Sequence, residues 1–180
     1  MATWAIVVIL AAIVAAAVAA WWFLNKRRSE HLHQRFGPEY DRLIREEGGR
    51  RRAENELERR EKRVKHFDIH PLEKQDRERF AQSWQADQAR FVDDPKGAVL
   101  EADRLVTEVM KARGYPVGNF EERVSDISVD HAHVAENYRA ACDIAERQKR
   151  GEASTEDLRK AMVYYRALFD DLLEMHEVKR

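Results

Sequence analysis

Residues 4–24 form one unbroken apolar run with no charge, no proline and no glycine, and Asn25-Lys26-Arg27-Arg28 follows it directly. Such a run restricts the chain more than any other segment, because it must be covered by a protein core or by lipid. About 20 residues at roughly 1.5 Å each cover a hydrocarbon layer of about 30 Å. Inside a bilayer every backbone N–H and C=O must pair within its own segment, so the run is expected to be a helix. Trp4 stands near one end and Trp21 and Trp22 near the other, about 26 Å apart along a helix axis. Indoles favour both membrane–water interfaces, so the three tryptophans read as two halves of an aromatic belt. Lys26, Arg27 and Arg28 flank only the C-terminal side. The bias of Lys and Arg towards the inner face then places everything from Lys26 onward in the cytoplasm, with a very short N-terminus outside.

The rival reading is a cleaved secretory signal, for which Ala17-Val18-Ala19 and Val18-Ala19-Ala20 offer small-residue cleavage sites. A signal peptide needs a basic region ahead of its apolar core, and none precedes Trp4. A retained anchor is therefore expected, with an exported helical protein as the alternative. Ala11, Ala15 and Ala19, and likewise Ala12, Ala16 and Ala20, make small-xxx-small rows through which two anchors would pack closely. In a run so rich in alanine such rows also arise by chance.

Charge divides the remainder. Residues 26–65 carry 14 basic and 9 acidic side chains, net +5, and residues 66–180 carry 18 basic and 24 acidic, net −6. A basic stretch beside an anionic inner leaflet and an acidic portion beyond it suit a membrane-anchored protein. The acidic sign of the larger part argues against nucleic acid as a partner. Cys142, the single cysteine, has no internal disulfide partner; its helical spacing from Tyr138 and Ala145 predicts a buried thiol.

Helix signals follow one another along the chain. Phe36-Gly37-Pro38-Glu39 reads as a helix start, with Gly37 as N-cap and Pro38 at the first position. Phe36, Leu43, Arg50, Leu57 and Val64 recur every seven residues, but the companion seam positions are Tyr40, Glu47, Glu54 and Glu61, so only half of a coiled-coil pattern is present. Gly48-Gly49 interrupts it at roughly 1 kcal/mol per glycine. A solvated, kinked stalk is expected over 26–69, with a dimeric coiled coil as the alternative and Arg50-Arg51-Arg52 as a solvated turn rather than a lipid contact. Beyond it, a helix over 73–92 presents Phe80, Trp84, Gln88 and Phe91. A second, capped by Asp94 with Pro95 at its first position, presents Val99, Ala102, Val106, Val109 and Met110 and ends at Gly114. A short helix over 120–127 precedes a third long one, capped by Asp130, with Val129 and Val134 as a hydrophobic staple and Val134, Tyr138, Ala141, Cys142 and Ala145 inside. Ser154 and Asp157 form a capping box for the last helix, which turns Leu158, Met162, Tyr165, Phe169 and Leu172 inward.

Recognisable chemistry is sparse. No phosphate loop, paired-cysteine metal motif, His-Glu-x-x-His or nucleophile elbow occurs. His31 and His33, and His131 and His133, are two apart, which on a helix points them roughly 200° apart and suits no shared metal. No catalytic residue and no cofactor is expected. Polar residues at helix ends, namely Arg113, Tyr115, Asp130 and His131, are the weak candidates for a ligand or interaction site, with capping and loop-locking as their simpler role.

The segments FGPEYDR (36–42), RFVDDP (90–95), ADRLVTEVMKARGYP (102–116), SVDHAHVAENYRAA (128–141) and DLRKAMVYYRALFDDLL (157–173), together with the apolar N-terminus, resemble a family of short uncharacterised bacterial proteins described as membrane-anchored or "secreted". That resemblance implies no reaction and no site residue. The expectation is an all-α protein in three parts: a transmembrane anchor (1–25), a charged helical stalk (26–69) and an antiparallel bundle of about four helices (70–180). Its partners would be the lipid bilayer and either another protein or a second copy of itself, as a non-enzymatic scaffold at the cell membrane.

Overall fold

A computed structural model describes residues 2–173, with the side chains of residues 2, 3, 5–9 and 11 outside the described set. Among the described residues there are eight helices and no strand: α1 (Ala2–Phe36), α2 (Pro38–Glu46), α3 (Arg50–Val64), α4 (Lys74–Arg90), α5 (Pro95–Ala112), α6 (Phe120–Asp130), α7 (Ala132–Lys149) and α8 (Thr155–Leu173). The protein is all-α, as the periodicity predicts.

Local signals set most helix ends. Asp94 accepts a hydrogen bond from the Gly97 amide at 2.9 Å, with Pro95 at the first position of α5. The Ser154–Asp157 box forms in both directions: the Asp157 amide donates to Ser154 Oγ at 3.2 Å, and the Ser154 amide donates to Asp157 Oδ2 at 3.0 Å. Gly114 ends α5 with φ +90°, and a Cβ there would lie 2.1 Å from the Asp68 carbonyl, so both conformation and space require glycine.

The main core lies between α4, α5, α7 and α8, with α6 laid against α7. The predicted stripes of α5, α7 and α8 are all buried. On α4, Phe80 and Trp84 are buried and Trp84 stacks on Phe169 at 4.6 Å, but the third inward position is Asp87, and Gln88 faces out. The α4–α5 and α7–α8 hairpins are antiparallel, but α5 and α8 are not. Arg113 at the end of α5 meets the Leu172 carbonyl at the end of α8, and Asp103 in mid-α5 meets Tyr165 in mid-α8, so α5 and α8 run parallel. The 113–131 connection allows this, because α6 carries the chain back to the end of the bundle where α5 finished.

Two further expectations change at that connection. α6 continues to Asp130, so the cap between α6 and α7 is His131, and Asp130 closes one helix rather than opening the next. Val129 and Val134 consequently belong to different apolar clusters and form no staple.

The largest departure is the predicted solvated stalk. Leu32 and Phe36 of α1, Tyr40 and Leu43 of α2, and Ala53, Leu57 and Val64 of α3 are buried together with Val129 of α6. The heptad positions that suggested a coiled coil are used inside the chain. Gly48, with φ +68°, reverses it so that α2 and α3 pack as a hairpin. Periodicity missed this because three of the inward positions are glutamates made tolerable by partners elsewhere. Glu54 accepts hydrogen bonds from Ser29, Tyr40 and Arg50. Glu61 pairs with Arg35 at 3.1 Å. Glu39 is held by Arg42, Arg60 and Arg139.

α1 is one helix from residue 2 to residue 36, so residues 4–24 continue without a break into the packed residues Ser29, Leu32 and Phe36. Among the described residues no helix is long and apolar enough to cross a membrane. The side chains of residues 5–9 and 11, part of the expected anchor, lie outside the described set.

Candidate functional site

The four helix-end candidates do converge, at the end of the bundle where α5 and α8 finish and α7 begins. After Gly114 the Tyr115 amide bonds back to the Met110 carbonyl at 3.0 Å, which turns the Tyr115 ring into the core. Its hydroxyl donates to Asp130 Oδ2 at 3.2 Å. Burial, and then the Asp130 charge, push the phenol well above its ordinary range. Asp130 also faces Arg35 of α1 at 3.4 Å, and Arg35 Nε donates to the Val129 carbonyl at 3.3 Å.

Arg113 NH1 donates to the Leu172 carbonyl at 3.2 Å and lies 3.5 Å from His131 Nε2. On its other side His131 Nδ1 lies within hydrogen-bond distance of Asp171 Oδ2. His133 Nε2 reaches the other Asp171 oxygen at 3.3 Å. His131 and His133 thus share a carboxylate despite their spacing, because His131 lies outside helical geometry at φ −128°, ψ 43°.

This cluster binds the chain to itself. Among the described residues, Arg35 pairs with Asp130 and Glu61, Arg113 meets the Leu172 carbonyl, and both histidines reach Asp171, so the partners come from α1, α3, α5, α8 and the α6–α7 junction. Such a network ties the relative positions of the helices together.

A second polar site had no signal in the sequence. A cleft of about 390 Å³ opens between α5, α6 and α7, lined by Asp103, Phe120, Arg123, Arg139, Cys142 and Glu146. Beneath it Tyr165 donates to Asp103 Oδ1 at 3.1 Å, Cys142 Sγ lies 3.6 Å from both groups, and Arg123 Nε donates to the Tyr138 hydroxyl at 3.0 Å. Burial, then the Asp103 charge, pushes the Cys142 thiol up to about 12, and burial raises both tyrosines. A thiol so held stays protonated at neutral pH, which weakens it as a nucleophile. Asp103, Arg123, Cys142 and Tyr165 come from four different helices, and nothing local marks them as neighbours.

The predicted membrane-interface residues divide. Trp4, Trp21 and Trp22 are exposed. Lys26 lies 5.6 Å from the Trp22 ring and Arg27 lies 4.3 Å from the Phe23 ring. Arg28 turns to the protein, pairing with Glu58 and donating to Asn55 at 2.9 Å.

The chain matches no protein-family model, no curated protein and no solved structure. Fold and sites together define an all-α protein with an apolar N-terminal helical segment and a charge-locked helical body.

Proposed function

We propose that the chain is a non-enzymatic, single-pass membrane protein of the cell membrane, with residues 4–24 in lipid and the helical body on the cytoplasmic side. There it acts as an interaction or scaffold module for another protein or for a second copy of itself. One observation carries the reading. Leu10, Ile13, Val14, Val18, Trp21, Trp22, Phe23 and Leu24 are 48–67% exposed and spread around the whole circumference of α1, immediately before Lys26-Arg27-Arg28. A helix apolar on every side needs an apolar surrounding, and no other segment of the described chain covers it.

A reporter active on only one side of the membrane, fused after Arg180, tests this. Cytoplasmic activity is expected, in the membrane fraction. Activity outside the cell, or a mature chain beginning near Ala20 or Trp21, would favour the exported alternative.

A further inference from the structure

Two hydrogen bonds and an ion pair fix the register of α1 against α3. Ser29 donates to Glu54, Arg28 donates to Asn55, and Arg35 pairs with Glu61 at 3.1 Å. Both helices therefore advance in the same direction. With Ser29 level with Glu54 and an equal rise per residue, the first turn of α3 stands level with Asn25-Lys26-Arg27. That turn is Arg50-Arg51-Arg52, all exposed. Arg50 holds Glu54 at 2.9 Å, while Arg51 and Arg52 make no ion pair among the described residues. The Gly48-Gly49 turn that precedes them lies at the level of Phe23 and Leu24.

From this geometry we infer that Arg50, Arg51 and Arg52 extend the basic layer of Lys26 and Arg27, and that the enlarged layer binds the anionic headgroups of the bilayer that holds α1. The inference rests on the proposed anchor and adds a second contact, 25 residues further along the chain. Glu30, Glu46 and Glu47 are the exposed acids near this layer; Glu30 is matched by Lys26 and Glu46 by Arg42. The first turn of α3 contains no acid, and three cations there work against the positive end of the helix. Negative headgroups within a Debye length of about 8 Å offset that repulsion. Because α1 is continuous and locked to α3, the contact fixes the orientation of the whole body to the membrane plane.

The test uses the full chain in nanodiscs of phosphatidylcholine alone or with about 30% phosphatidylserine, read by hydrogen exchange. Exchange over residues 48–56 should be several-fold slower in the anionic discs, with residues 74–90 unchanged. The slowing should vanish at about 0.5 M salt and in the R51Q/R52Q double variant, which removes no internal ion pair. Equal exchange in both lipids with the chain inserted overturns the inference, as does slowing that survives R51Q/R52Q. A chain that never enters the discs removes the anchor itself, and this contact with it.

Discussion

Asp87 is the least comfortable residue of the core. Its carboxyl is 4% exposed, and neither oxygen has a hydrogen-bond partner among the described residues. Burial, with a further push from the Glu101 charge, raises its pKa from 3.8 to about 7. For an acid whose folded pKa lies above its unfolded value, the folded state binds more protons between the two. The stability it contributes is full below the unfolded pKa and is lost as pH rises through the folded one. Thermal unfolding should therefore give an Asp87→Asn variant whose advantage over the parent widens from about pH 4 to about pH 7, at a slope approaching 1.4 kcal/mol per pH unit, and then levels off. A pH-independent difference would contradict this account of the site. Glu39 shows the opposite balance. Burial works against its charge, but hydrogen bonds from Arg42 and the charges of Arg139 and Arg42 hold the carboxyl down at about 2. Its contribution is full above the ordinary carboxylate range and is lost only as pH falls to about 2.

At the scale of elements, α3 changes character most between sequence and structure. Fifteen residues containing eleven charges read as a solvated helix, yet Ala53, Leu57 and Val64 face an apolar cluster supplied by α1, α2 and α6. The stripe is narrow, and its intervening glutamates take partners from other helices, Ser29 and Tyr40 for Glu54 and Arg35 for Glu61. Leu57→Ala separates the two readings. Loss of a fully buried leucine should lower unfolding stability by about 2–5 kcal/mol in denaturant titration, whereas an exposed stalk position would change it by less than about 0.5 kcal/mol. By contrast, the stripes of α5, α7 and α8 were readable in the sequence, because there the apolar residues recur at three and four without interruption. α4 stands between these cases: Phe80 and Trp84 follow the period, and the choice of Asp87 over Gln88 does not.

For the whole molecule, the ion-pair junction makes one body from two apolar clusters. Arg35 from α1, Asp130 from the end of α6, and Arg63 pairing with Asp126 at 3.0 Å join the first three helices to the bundle. Native-state hydrogen exchange with rising denaturant should find the slowest amides of α3 and α7 opening at the same free energy. A markedly lower value for α3 would divide the protein into two cooperative units.

Signals acting within a turn or two, such as the Asp94 and Ser154 caps, Gly114, and the spacings on α5, α7 and α8, were enough for the chain alone to specify its all-helical character and most helix limits. The long apolar run and the basic residues after it also needed no partner to be seen. The fate of residues 26–69, the parallel α5–α8 pair, and the meeting of Arg113, Tyr115, Asp130 and His131 with Arg35 and Asp171 were settled by packing. A buried charge is stable only where a complementary group arrives from a distant helix, and hydrophobic period carries no record of which distant groups will meet.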